Sequence, residues 1–405
     1  MSNLSSNTGA APEGSAKIAC PCCSSDGMRI FYEFRGAPVH SVLLMSTREA
    51  ALNYPKGDIA LGFCQKCGFI SNTAYKPSVH EYSPLCEESQ GYSDFHNRFA
   101  LRLAEGLIEK YGIRGKEIVE IGCGKGDFLA LLCELGGNRG VGFDPAFVKE
   151  RMEGRALKNI KFVNGFYPGE YSDSAGDLIV CKMTLEHIAD TSSLLRTIRG
   201  SVRKRDTVLF FQVPDVTRVL YELAFWDIYY EHCSYFSPGS ITRLFRRSGF
   251  EVMDIRRDYG GQYIMLEARP WENAPSPALP LEDDFGHISR GVKYFAENCC
   301  QKIALWKKKL HEFGNSGYRT VLWGSGSKGV AFLTTLSVAD EIRYVVDINP
   351  RRQGTHMAGT GHEIVPPVFL KEYRPDAVIV MNPVYRDEVA GELKKLGVES
   401  ELLTV

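Results

Sequence analysis

Apolar residues along this chain recur at two periods. From Asp94 onward, Phe99, Leu103, Leu107 and Ile108 fall at helical spacing. The short apolar run at 117–121 then meets a cluster of glycines, and a second helical stretch runs over 127–135. Brief apolar runs follow at 140–143, 161–163, 178–181 and 208–213, separated by helical or polar segments. Strands that alternate with helices in this way predict an α/β fold, a parallel sheet covered by helices on both faces. Past residue 285 the pattern restarts. Ile288, Val292, Phe295, Ile303, Trp306 and Leu310 mark a long helix, followed by a strand at 319–323, a glycine loop, a helix at 330–336 and a strand at 343–346.

Segments without such periodicity set the boundaries. Residues 1–17 are small and polar with no apolar core, so they read as a loose tail and not as a secretory signal. Residues 18–78 are short strands and turns framed by cysteines. Pro270, Pro275, Pro277 and Pro280 crowd one polar stretch, which predicts a linker. The expected units are therefore 18–78, 79–270 and 271–405. A length of 405 residues suits two or three domains.

Composition narrows the function. Apolar residues are 44% and charged residues 24%, ordinary globular values. Lys plus Arg number 48 against 49 Asp plus Glu, a net charge of −1, so the basic footprint of a nucleic-acid or anionic-membrane binder is missing. No apolar run is long enough to span a bilayer. Twelve unevenly placed cysteines are too few for a disulfide scaffold and point to a reducing compartment, with a cytoplasmic location expected.

Four of those cysteines form two knuckles, Cys20-Pro21-Cys22-Cys23 and Cys64-Gln65-Lys66-Cys67. Two residues between thiolates let one turn present both sulfurs to one ion, and two turns complete a tetrahedron. Cys20, Cys23, Cys64 and Cys67 are thus expected to hold a structural zinc ion, with Cys22 as a substitute in the first knuckle. A four-thiolate site is closed to substrate and serves folding.

Glu120-Ile121-Gly122-Cys123-Gly124-Lys125-Gly126 ends one strand and opens a helix, and the next strand ends on Asp144, where a carboxylate can receive the two hydroxyls of a ribose. This Glu-x-Gly-x-Gly-x-Gly pattern resembles the first motif of class I S-adenosylmethionine-dependent methyltransferases. The resemblance implies that Gly122, Gly124 and Gly126 pass beneath the methionine part, that Asp144 holds the ribose and that Asn164 lies near the adenine.

Two Glu-His pairs carry candidate acid–base chemistry. Leu185-Glu186-His187 follows the strand at 178–181, at the edge where such sheets bind ligands, and Tyr229-Tyr230-Glu231-His232 sits among aromatics. A histidine titrates near neutrality and can take up a proton. In the last unit, Gly324-Ser325-Gly326-Ser327-Lys328-Gly329 again joins strand to helix, ahead of Asp347. Such a loop suits phosphate, and spacing alone points to a dinucleotide.

Taken together, Cys-x-x-Cys, Cys-x-x-Cys-Gly, the methyltransferase motif, Tyr-x-Glu-His-x-Ser-Tyr-Phe-Ser, Trp-Gly-Ser-Gly-Ser-Lys-Gly and Val-Asp-Ile-Asn-Pro-x-x-Gln-Gly resemble the nucleotide-sugar C-methyltransferases, typified by those acting on TDP-4-keto-deoxysugars. The resemblance runs from Cys20 to the C-terminus. It implies a small zinc-binding domain, a class I methyltransferase Rossmann-like domain and a second, C-terminal Rossmann-like domain that helps bind the nucleotide sugar, with Gly324, Gly326, Lys328, Gly329 and Asp347 as its substrate residues. His187, Tyr229, Glu231 and His232 match the family's active-site positions. His232 is expected to remove the proton next to the ketone, Glu231 to orient it, and Tyr229 and His187 to bind the developing oxyanion. An O- or N-methyltransferase of a related small molecule is the alternative. The family's tyrosine between knuckles and glycine motif corresponds here to Tyr82 or Cys86, and Gly260-Gly261-Gln262 replaces its Gly-Gly-Ser. A monomer or weak homo-oligomer is expected.

Overall fold

The computed structural model describes residues 18–79, 83–152, 158–168, 176–202, 204–271 and 277–405. The expected tail at 1–17 and Tyr82 lie outside these residues.

The N-terminal unit is built from β1 (Met28–Pro38), a short helix α1 (Arg48–Leu52), β2 (Lys56–Cys64) and β3 (Ile70–Asn72). The middle unit follows as α2 (Asp94–Tyr111), β4 (Glu117–Ile121), α3 (Asp127–Gly136), β5 (Arg139–Phe143), β6 (Ile160–Val163), β7 (Leu178–Lys182), α4 (Thr191–Ser201), β8 (Val208–Pro214), α5 (Val216–Glu222), β9 (Ser234–Tyr235), α6 (Pro238–Arg247), β10 (Phe250–Asp258) and β11 (Tyr263–Pro270). After the 31-residue helix α7 (Phe285–Asn315) come β12 (Thr320–Trp323), α8 (Ser327–Leu336), β13 (Tyr344–Val346), β14 (Glu363–Val365), α9 (Leu370–Tyr373), β15 (Ala377–Val380), α10 (Arg386–Leu396) and β16 (Glu401–Thr404).

Three sheets result. The central one has seven strands in the order β10-β11-β8-β7-β4-β5-β6, with β7, β4, β5, β6 and β8 parallel and the β10–β11 hairpin antiparallel to β8. The last sheet, β14-β13-β12-β15-β16, is wholly parallel. Both agree with the α/β expectation, and the middle unit has the class I methyltransferase arrangement. The hairpin was not anticipated. Pro270, expected in a linker, instead ends β11 opposite Phe250. A proline is tolerated at a strand end, where its missing N–H interrupts little of the ladder.

The N-terminal sheet takes its fourth strand from far along the chain, since β9 pairs antiparallel with β3 through Ile70↔Tyr235 and Ser71↔Ser234. The segment around Tyr229 and His232 is therefore pinned to the cysteine-bearing unit. Its other end is fixed by a capping box at the start of α6, where Ser237 and Ser240 each accept a hydrogen bond from the other's backbone N–H. Such a cap contributes about 1 kcal/mol. Packing ties the units further. One buried cluster joins Phe34 and Leu61 of the first sheet, Trp226 and Tyr230 of the middle unit, and Phe332 of α8.

Candidate functional site

The loop after β4 is shaped by left-handed backbone. Gly122, Gly124 and Gly126 have φ of 69°, 53° and 83°, a region L-residues adopt only at a cost. A Cβ at position 122 would overlap the Thr184 side chain. The Asp144 carboxylate accepts hydrogen bonds from the Gly124 N–H (2.9 Å) and the Ala146 N–H (2.7 Å), holding loop and second strand together. Each oxygen keeps a lone pair for a further donor. Glu120 is buried, with one carboxyl oxygen lacking a partner. Burial pushes its acidity down, and the nearby Lys182, whose ammonium lies over the Phe128 ring, works against that shift. Asn164 is exposed just beyond, its side-chain amide 3.3 Å from the Phe147 carbonyl. A glycine cradle with a carboxylate at the second strand end and an unpartnered buried carboxyl fits a cationic adenosyl donor.

This loop leads directly to the histidines. Thr184 donates to the Gly122 carbonyl at 3.4 Å and opens the turn Leu185–His187, whose His187 N–H returns to the Thr184 carbonyl at 3.0 Å. The His187 ring meets that of His232 edge to face, centroids 4.7 Å apart, and His232 meets Tyr229 at 4.4 Å. His232 is buried, and its acidity is raised, first by desolvation and then by His187 and Lys328. It is thus held neutral, the form that can accept a proton.

The remaining members of the quartet face other units. Glu231 accepts from the Ser41 N–H at 3.2 Å and from the Ser327 hydroxyl at 3.4 Å, so it spans N-terminal unit, active segment and C-terminal unit. The acid grouped with the histidines is Glu186, whose carboxylate lies with the His187 and His232 ring nitrogens inside a 4.8 Å cluster. Sequence adjacency favoured Glu231 for that place, but its carboxylate is taken by Ser41 and Ser327 instead. Tyr229 donates from its phenol to Asp227 at 3.1 Å.

The second glycine loop reaches this same place. Lys328 and Arg218 both pair with the Asp227 carboxylate. Asp347 accepts from the Ser325 N–H at 2.9 Å, repeating the Asp144–Gly124 arrangement, and takes the Ser325 hydroxyl at 2.5 Å as well. Gly324 has φ 113°, and a Cβ at Gly329 would overlap the Gly324 carbonyl. Gly326 precedes α8 in extended backbone. The loop residues are therefore together, but the Lys328 ammonium is committed to Asp227.

In the N-terminal unit, Cys20, Cys23, Cys64 and Cys67 converge. The Cys20–Cys67 and Cys23–Cys64 sulfurs are 3.7 Å apart, and all four lie within 4.8 Å of one another. Four sulfurs at about 2.3 Å from a tetrahedral ion would sit about 3.8 Å apart, so the set fits zinc with Cys23 rather than Cys22 completing the first knuckle. Cys86 pairs its backbone with Leu43 in an isolated bridge. Gln262 donates to the Asn382 side chain at 2.7 Å, joining the β10–β11 turn to the C-terminal unit. Sequence reasoning missed Arg218, and it missed Asp227 and this joint because the Asp227–Lys328 and Gln262–Asn382 pairs join residues 101 and 120 positions apart.

Two family models match. Residues 88–255 fit the methyltransferase domain, and residues 286–400 fit the C-methyltransferase C-terminal domain. The C-methyltransferase NovU of Streptomyces niveus is 25% identical over 311 residues, covering 73% of each chain. Among solved structures, the 1,6-didemethyltoxoflavin-N1-methyltransferase of Burkholderia thailandensis aligns at 20% identity over 45% of this chain and 83% of its own, with a TM-score of 0.36. The magnesium protoporphyrin IX methyltransferase of Synechocystis aligns at 15% identity over 44% and 84%, with a TM-score of 0.35.

Proposed function

We propose, from the match of residues 286–400 to the C-methyltransferase C-terminal domain and the likeness to a C-methyltransferase, that the chain methylates a carbon beside the ketone of a nucleotide-linked sugar. The observation that carries this reading is the unbroken run of contacts from the Gly122 loop through Thr184 to His187 and His232. It links the proposed donor loop, through the turn carrying His187, to a buried histidine suited to remove a carbon-bound proton.

Gly122, Gly124 and Gly126 would cradle S-adenosylmethionine, with Glu120 facing its amino group, Asp144 its ribose and Asn164 its adenine. When bound, it supplies an electrophilic methyl on a positively charged sulfur. A saturated sugar has no carbon nucleophile, so the chain must make one. His232, neutral and buried, takes the proton next to the ketone, and the bond's electron pair remains on the sugar as an enolate. His187 hydrogen-bonds the developing oxyanion, and Tyr229 does so once its phenol turns from Asp227 to the substrate. A positioned base is worth about 10²–10⁴-fold and each oxyanion donor about 10²–10³-fold. Glu231 locks the segment between the outer units, and the C-terminal unit, with Gly324, Gly326, Lys328, Gly329 and Asp347, presents the nucleotide. The four thiolates hold a structural zinc.

The test is a paired incubation with S-adenosylmethionine. A TDP-4-keto-deoxysugar should gain one methyl on carbon, while its 4-hydroxy counterpart should gain none. Methylation of the 4-hydroxy compound on oxygen would favour the O-methyltransferase alternative.

A further inference from the structure

Glu186 has 1% of its surface exposed, and neither of its carboxyl oxygens makes a hydrogen bond. A buried carboxyl without a partner is destabilising unless it does something for the site. It stands on the same turn as His187, and its carboxylate and the ring nitrogens of His187 and His232 all lie within 4.8 Å of one another. The turn cannot easily drift. Thr184 ties its start to Gly122, and the Cys233 thiol reaches the Glu186 carbonyl from the segment carrying His232.

We infer that Glu186 is the positioning residue of the histidine pair, compensating the charge that appears when His232 takes a proton and accepting the imidazolium N–H formed in that step. This rests on the reading of His232 as base. In that step the substrate C–H bond breaks, its electrons stay on the sugar, and the proton moves to the His232 nitrogen. The imidazolium so formed faces His187 and Lys328, which both oppose a positive charge, and the rings of Tyr229 and Tyr235. Glu186 itself faces Cys181, Cys233 and Tyr263. Within the trio it is the group that can stabilise the imidazolium. Burial pushes Glu186 up to about 8, so the base is armed as pH rises through that range.

The test compares wild type with Glu186→Gln, Glu186→Asp and His232→Ala, measuring kcat, KM and their pH profiles. Wild type should show an acid limb belonging to the trio. Glu186→Gln should lose roughly 10²-fold or more in kcat with KM changed by less than about threefold. Its limb should move toward acid, since the His232 imidazole that remains to titrate is held below its ordinary range. Glu186→Asp should recover part of kcat with the limb restored. Wild-type kcat and an unmoved limb in Glu186→Gln overturn the inference, as does loss in Glu186→Gln and Glu186→Asp alike with the limb of residual activity unmoved. Activity lost to a chelator and restored by a divalent cation overturns it too, because the trio would then be a cation site. Full activity in His232→Ala sinks the parent reading instead, whatever Glu186 does.

Discussion

Lys328, carried by the second glycine loop, is ion-paired with Asp227, two residues ahead of Tyr229. That loop looked from its sequence like a free phosphate cradle. Instead its cation locks the C-terminal unit onto the segment that bears Tyr229, whose phenol donates to the same carboxylate. Lys328→Met leaves Asp227 with Arg218 and the Tyr229 phenol. The expected loss is about 1–3 kcal/mol of stability, less than for a buried charge left with no partner. The KM for the sugar nucleotide should rise about tenfold, with donor affinity unchanged. Calorimetric binding of each ligand checks this; an equal loss for both would contradict it.

Gly122 admits no side chain. Its φ of 69° and the Thr184 side chain in the path of a Cβ mean that Gly122→Ala must displace the turn carrying His187. Strain of this kind is worth about 1–3 kcal/mol. Donor affinity should fall at least about tenfold and turnover further, read by equilibrium binding and initial rates. Tight donor binding in the variant would show that the loop lies elsewhere.

The thiolate cluster should carry one zinc ion per chain. Cys64→Ser should release it and lower the melting temperature. Because β3 pairs with β9, three residues after Glu231, methyl transfer should fall as well. Elemental analysis and differential scanning fluorimetry decide the point, and a full zinc complement in Cys64→Ser would contradict it.

Buried acids and histidines set opposite pH limits on stability. Burial raises Glu186 to about 8 and Glu231 to about 7 from the ordinary 4.5. Their protonated forms suit the fold, so their contribution is lost as pH climbs through those values. His232 and His362 are lowered, chiefly by desolvation. They must charge on unfolding below about 6.5, which removes stability on the acid side. The melting temperature of the ligand-free protein should therefore change little below about pH 6.5, where the two effects oppose each other, and decline from there toward pH 8. Glu186→Gln should flatten the alkaline decline. A melting temperature that rises steadily from pH 6.5 to 8 would count against buried neutral carboxyls here.

What the sequence made legible was local. The strands at β4, β5, β7 and β8, both glycine loops and both cysteine knuckles are short-range patterns, in which periodicity or spacing alone carries the structural meaning. The two-residue strand β9 has no periodicity to detect and exists only because β3 offers it an edge. Glu186 meets His232, and Asp227 meets Lys328 across 101 residues, only once three sheets have packed. Those pairings decide which acid serves the histidines, and no local rule ranks Glu186 above Glu231.

The account stands or falls on where the carbon-bound proton goes. Incubating the 4-keto sugar nucleotide with the protein and S-adenosylhomocysteine in heavy water blocks methylation and leaves only deprotonation, which proton NMR follows as loss of the signal next to the ketone. Wild type should exchange that proton readily, and His232→Ala should exchange it roughly 10²-fold more slowly or less, with S-adenosylhomocysteine binding near wild type. Exchange at the wild-type rate in His232→Ala, or none in a wild-type complex that still methylates, would contradict the enolate and its base.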